Sequence, residues 1–134
     1  MPDRVDRVEL TERAEALLRN IIRQYGAVMF HQSGGCCDGS APMCCRRDEF
    51  LVGAADVLLG TVGVDTPYWM SADQYEYWKH ARLTLDVVPG RGSGFSLEAP
   101  EGLRFIVRSR LLTDAEFDAL ATAPPPRAGA YPVT

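Results

Sequence analysis

Residues 81–107, ARLTLDVVPGRGSGFSLEAPEGLRFIV, carry the pattern on which the fold class turns. Leu83, Leu85 and Val87 alternate with Thr84, Asp86 and Val88, the period of two expected of a strand with one buried face, and Pro89-Gly90 ends the run. GRGSG turns the chain into Phe95-Ser96-Leu97, and Pro100-Glu101-Gly102 turns it again into a strand from Leu103 to Val107. Successive strands joined by short turns predict an antiparallel meander.

Working outward, Ser71 and Gln74 are spaced as a capping box, so SADQYEYWKH opens a short helix at Ala72. Tyr75 and Trp78 are expected to lie on the sheet while Tyr77 covers an edge. His80, at the helix end, meets carbonyls that favour a cation, and it is a candidate outer ligand. Pro67 to Met70, Asp56 to Leu59 and Phe50 to Val52 read as short strands, with Gly53, Gly60 and Gly63 as punctuation. Thr11 can cap a helix in which Ala14, Leu17, Leu18, Ile21, Ile22 and Tyr25 share one face and Gly26 is the terminator. Ala27 to His31 then forms a buried strand. Near the other end, Thr113 and Glu116 make a second capping box for TDAEFDALA, stopped by Pro124-Pro125-Pro126. The expected architecture is an α+β domain over residues 1–121, a mixed or mainly antiparallel sheet with N-terminal, central short and C-terminal helices. A Pro-rich mobile tail is expected over residues 122–134.

With 134 residues, 46% apolar and 24% charged, the chain is large enough to bury one core without disulfides. A net charge of -4 argues against a nucleic-acid surface, since that affinity draws on clustered Lys and Arg, and Arg46-Arg47 is too short a run. The opening MPDRVDRVEL has no apolar signal core, and no stretch approaches the ~18 apolar residues of a membrane span. The expectation is a cytoplasmic protein with no membrane or nucleic-acid partner, able to form a homodimer, whose thiols stay reduced.

From Gln32 to Glu49 neither helical nor strand periodicity is visible, yet the segment holds Cys36, Cys37, Cys44 and Cys45. Loops of that length in compact domains usually carry function. Gly34, Gly35 and Gly39 open backbone conformations closed to other residues, which lets such a loop aim several side chains at one point. Soft thiolates with an imidazole suit zinc, iron, copper or an iron-sulfur cluster. Adjacent cysteines in extended chain point to opposite faces, so one from each pair, together with His31, is the plausible ligand set. Cys36 and Cys44 come first, Cys37 and Cys45 second, His31 as a possible fourth. The competing readings are a reactive thiol lowered in pKa by His31, Arg46 or loop amides, and plain burial of cysteines as small hydrophobes. Asp38, Asp86 and Glu98 have no evident partner in sequence, so no acid/base pair and no catalytic residue is assigned. The glycines of residues 90–94 read as a hairpin turn, since a phosphate loop needs a helix to follow.

FHQSGGCCDGSAPMC and DQYEYWKHARLTLDVVPGRGSGFSLEAPEGLRFIVRSRLLTDAEF resemble the bacterial family catalogued as domain of unknown function 779, over about residues 10 to 120. Members are often encoded beside acetaldehyde or other aldehyde dehydrogenases. The resemblance therefore implies an accessory role near aldehyde metabolism, with an aldehyde dehydrogenase as partner. Gly34-Gly35-Cys36 after a strand also resembles the A-type iron-sulfur carriers of the HesB-like fold. Those carriers place two further cysteines near the C-terminus, and this chain has none after Cys45, so Cys37, Cys44, Cys45 and His31 would have to replace them. A third class of function, a partner-binding module, would use the helix from Tyr75 to His80.

Overall fold

The computed structural model describes residues 7–32, 40–48, 52–53, 55–63, 66–90 and 96–121. In chain order these form β1 (Val8–Leu10), α1 (Glu12–Tyr25), β2 (Val28–Gln32), β3 (Met43–Arg46), β4 (Asp56–Val62), β5 (Thr66–Ser71), α2 (Ala72–Trp78), β6 (Ala81–Pro89), a 3-10 turn (Ala99–Glu101), β7 (Leu103–Leu111) and α3 (Asp114–Ala121). The architecture is α+β. No described helix is long and apolar enough to cross a membrane.

The strands make two sheets, ordered β1-β6-β7 and β3-β2-β5-β4. Antiparallel pairs dominate, but β1 runs parallel to β6 and β2 parallel to β5, so the sheets are mixed. Their inner faces meet in one core: Leu83, Leu85, Val87, Phe105 and Val107 from the first, Val28, Phe30, Cys44, Tyr68 and Met70 from the second. α1 adds Ala14, Leu17, Leu18 and Ile21 to it. Thr11 Oγ1 accepts from Ala14 N, and Gly26 at φ +85 ends the helix as the sequence implied. α3 opens with a reciprocal capping box, in which Glu116 N donates to Thr113 Oγ1 and Thr113 N to Glu116 Oε1.

What joins the two sheets is mostly not strand pairing. On one side, β7 offers Phe105 N to the Glu98 carboxylate and Val107 N to Ser40 O. At β3, Cys44 N donates to Ser96 Oγ and Leu97 N to Cys44 O, while the Ser96 hydroxyl donates to Glu98. The short 96–98 segment thus satisfies the outer edges of two strands that would otherwise expose unpaired amides. Along the opposite side β1 approaches β4, where Gly60 and Gly63 make room: a Cβ at Gly60 would stand 3.3 Å from Val8 Cγ1, and one at Gly63 3.0 Å from Leu18 Cδ2.

Several expectations need correction. The stretch from Gln32 to Glu49 is not all loop, because β3 pairs antiparallel with β2; MCCR hides its strand character since cysteine there does the work of a small hydrophobe. β1, at three residues, is too short to show a strand period in the sequence. Gly60 lies inside β4, beside the bulge that turns Leu59 into the core, and is not a turn residue. Ser96-Leu97 is a turn, not a strand, and β1 and β2 depart from a simple meander by pairing in parallel. Asp86 and Glu98 do have partners. Phe50 and Leu51, the turn at 91–95 and the tail at 122–134 lie outside the described residues, and Val52 is not in a strand.

Asp86 ties three elements together on the outer face of the first sheet. Its carboxylate accepts from Arg13 Nε at 2.7 Å and Nη2 at 2.6 Å, Thr11 Oγ1 at 2.9 Å, Arg108 Nε at 3.1 Å and its neighbour Val87 N at 2.8 Å. Arg13 foremost, then Val87, Thr11 and Arg108, outweigh burial and hold the carboxyl below its ordinary 3.8. A depressed carboxylate stabilises the fold above its unfolded pKa, and that contribution is lost as the pH falls below it. Asp86→Asn is therefore expected to cost about 1–2 kcal/mol near neutrality, a figure trimmed for the solvent around both arginines, and to lose less on acidification than the parent. Urea titrations at about pH 7 and pH 3 check this; equal acid losses in the two proteins would remove Asp86 from the account. Gly63→Ala, at φ +56 with leucine methyls 3.0 and 3.1 Å away, and Gly26→Ala, at φ +85 and ψ -158 with nothing within 4 Å, should each cost about 1–3 kcal/mol, because both force a side chain into backbone space that favours glycine. The same denaturant titration compares them.

Candidate functional site

The alternation of β2 and β3 sorts the candidate ligands before any chemistry is considered. Phe30 pairs with Cys44 on the inner face, whereas Met29 pairs with Cys45 and His31 with Met43 on the outer one. His31 and Cys45 are thus diagonal neighbours on one face, with Cα atoms about 7–8 Å apart. Cys44 faces the other way. It is fully buried against Phe30, and burial first, then the charges of Glu98 and Cys45, push its thiol well above the ordinary 9.0. Such a thiol does not ionise to become a ligand or nucleophile at neutral pH.

His31 is held by a residue the sequence did not single out. Its Nε2 lies 2.8 Å from Asp56 Oδ1, and Asp56 Oδ2 accepts from Gly53 N at 2.8 Å. Because β5 lies between β2 and β4, the contact spans two interstrand spacings, about 9.6 Å of sheet, over the row that contains Trp69 and Ser71. Both side chains are largely withdrawn from water, at 8% and 13% exposure. A carboxylate only accepts, so Nε2 is the donating nitrogen of this contact. An imidazole fixed in this way can ligate a metal or take a proton. Twenty-five residues separate the partners, and the only signal in sequence is an acid opening the apolar run Val57-Leu58-Leu59.

Of the residues singled out by sequence, the fold brings His31 and Cys45 to one face and puts Cys44 on the other. Cys36, Cys37 and Asp38 lie outside the described residues. Among those described, no three His, Cys, Asp or Glu side chains stand close enough to hold a metal ion. His80 stacks on Phe117, ring centroids 5.9 Å apart. On α2, Trp78 is buried and donates from Nε1 to Gln74 Oε1, Tyr75 lies under the Arg7 guanidinium, and Tyr77 alone is well exposed.

Residues 17–111 match the model of the family described as Domain of unknown function (DUF779). No curated protein and no solved structure matches the chain. The likeness to A-type iron-sulfur carriers therefore stays with the sequence Gly34-Gly35-Cys36, outside the described residues.

The split between the faces makes a direct prediction. In the native protein iodoacetamide should label Cys45 and leave Cys44 unmodified until denaturant is added, as read by peptide mass spectrometry. Native labelling of Cys44 at a comparable rate would contradict its interior placement.

Proposed function

The chain belongs to the DUF779 family, and we propose that this member is a small accessory protein that binds a transition metal on the outer face of its four-stranded sheet. The observation that carries the reading is the His31–Asp56 contact. Histidines that ligate metals characteristically donate their second ring nitrogen to a carboxylate, which fixes the tautomer and raises the basicity of the ligating atom. Cys45 shares that face. The chain leaves β2 at Gln32 only four and five residues before Cys36 and Cys37, so these are the thiols proposed to complete the set. A His and soft-thiolate donor set fits zinc, iron or copper and, with further thiolates, a cluster. Cys44 is left out because its thiol faces the core. The physiological partner in this proposal is an aldehyde dehydrogenase, as the family resemblance implies, with metal delivery or protection as the service rendered.

Elemental analysis of anaerobically purified protein tests the proposal. Near-stoichiometric metal is expected, abolished by His31→Ala combined with Cys45→Ser, and reduced by Cys36→Ser or Cys37→Ser. Asp56→Asn should weaken affinity about 10- to 100-fold without removing a ligand. Circular dichroism of each variant separates lost binding from lost fold. Metal content unaffected by both His31→Ala and Cys45→Ser would defeat the assignment.

One observation supports a second reading, a metal-free redox thiol: Cys45 is partly exposed on the face that holds the fixed imidazole. That reading expects no bound metal and an alkylation rate at Cys45 that falls in His31→Ala.

A further inference from the structure

The same outer face carries a cavity of about 420 Å³ that the metal reading does not use. Met29 of β2, Leu58 and Thr61 of β4, and Pro67 and Trp69 of β5 line it, with Arg47 just beyond β3 on the wall. Met29 and Trp69 are only 2% and 8% exposed although they point away from the core, so an apolar layer has been built on the wrong side of the sheet for interior packing. The volume falls within the ~300–1,000 Å³ of small-molecule sites, which are apolar with a few placed polar groups.

Arg47 decides the chemistry. Its neighbour Arg46 is neutralised by Asp48 at 2.9 Å, whereas Arg47 is exposed and forms no ion pair among the described residues. No acidic side chain is found among the cavity's described lining residues. On a chain of net charge -4, a cation with no ion pair among the described residues, on the wall of a hollow lined by Met29, Leu58, Pro67 and Trp69, is a specific anchor for an anion. We infer that the cavity binds a small apolar or aromatic carboxylate, its ring or chain against Trp69, Met29, Leu58 and Pro67 and its carboxylate on the Arg47 guanidinium. The Thr61 hydroxyl is the second polar group of the lining. Since His31 is the register partner of Trp69, and Asp56 precedes Leu58 by two residues on one face, the ligand lies alongside the fixed imidazole. The inference rests on the cavity and Arg47 and does not need a metal.

Two-dimensional NMR of the full chain, with phenylacetate as the probe, tests it. The chain has two indole N–H groups, Trp69 in the cavity and Trp78 in the core. Phenylacetate should shift the Trp69 indole signal saturably, with an affinity of about millimolar for so few atoms, and leave that of Trp78 in place. Arg47→Gln, a surface change, should weaken binding about tenfold, and 2-phenylethanol, which has a similar body without the charge, should bind the parent about as weakly. Acetate alone should produce no saturable shift. No saturation with phenylacetate, equal affinity in Arg47→Gln, or shifts centred on Trp78 would overturn the inference. Chelator-treated protein should give the same titration, so failure of metal binding and failure of this site are separately visible.

Discussion

β2 has no face turned to water. Val28, Phe30 and Gln32 point into the core and Met29 and His31 to the outer face, yet all five are buried, with β3 on one edge and β5 on the other. A slip of one residue would carry Phe30 outward and His31 into the core, exchanging an aromatic contact pair for an unsatisfied imidazole. The register is therefore strongly specified. It is held by Phe30, stacked at 5.8 Å on Tyr68 and edge-on at 4.9 Å to Phe105, and by Gln32, whose Oε1 accepts from the Tyr68 hydroxyl at 2.5 Å. The placement of His31 and of the two cysteines of β3 follows from that register.

The second constraint is how the sheets close on each other. Seven short strands could leave four edges open to association, and here each side is handled by different means. Glu98, buried at 1% exposure, spends both oxygens on Ser96 and Phe105 and so works as a strut between β3 and β7. Gly60 and Gly63 let β4 lie against β1 and α1 by omitting the side chains that would keep them apart. One solution fills an edge with a charged side chain, and the other removes bulk.

Periodic signals were legible and pairwise ones were not. Thr11, Ser71 and Thr113 announce three helix starts because a cap is a local hydrogen bond, and the alternation of Leu83 to Val87 announces β6. β3 escaped because four residues of mixed character carry no period and because cysteines next to cysteines suggest chemistry before packing. In sequence Asp86 is a carboxylate without a partner, since Arg13 lies 73 residues away and Arg108 22. Asp56 was missed for the same reason: its partner is two strands across the sheet. Gln74 bears out half of the expected capping box, as its backbone N–H completes the Ser71 cap while its side chain, instead of reaching back to Ser71, joins Trp78 to Gln32.

The adjacent pair Cys44-Cys45 condenses the relation between fold and site. The strand period makes it impossible for both thiols to face one centre, so the pair is divided between two solvents, a packed interior and a partly open face. In the interior, the charge of Glu98 joins burial in keeping the Cys44 thiol protonated and inert. Outside, Cys45 stands among Met29, Met43 and His31, on the face whose hollow has Arg47 among its described lining residues. Two atoms of identical chemistry, one residue apart, thus acquire opposite capacities from the sheet alone. The structural cysteine secures β3 to the core at the very point where its neighbour is presented.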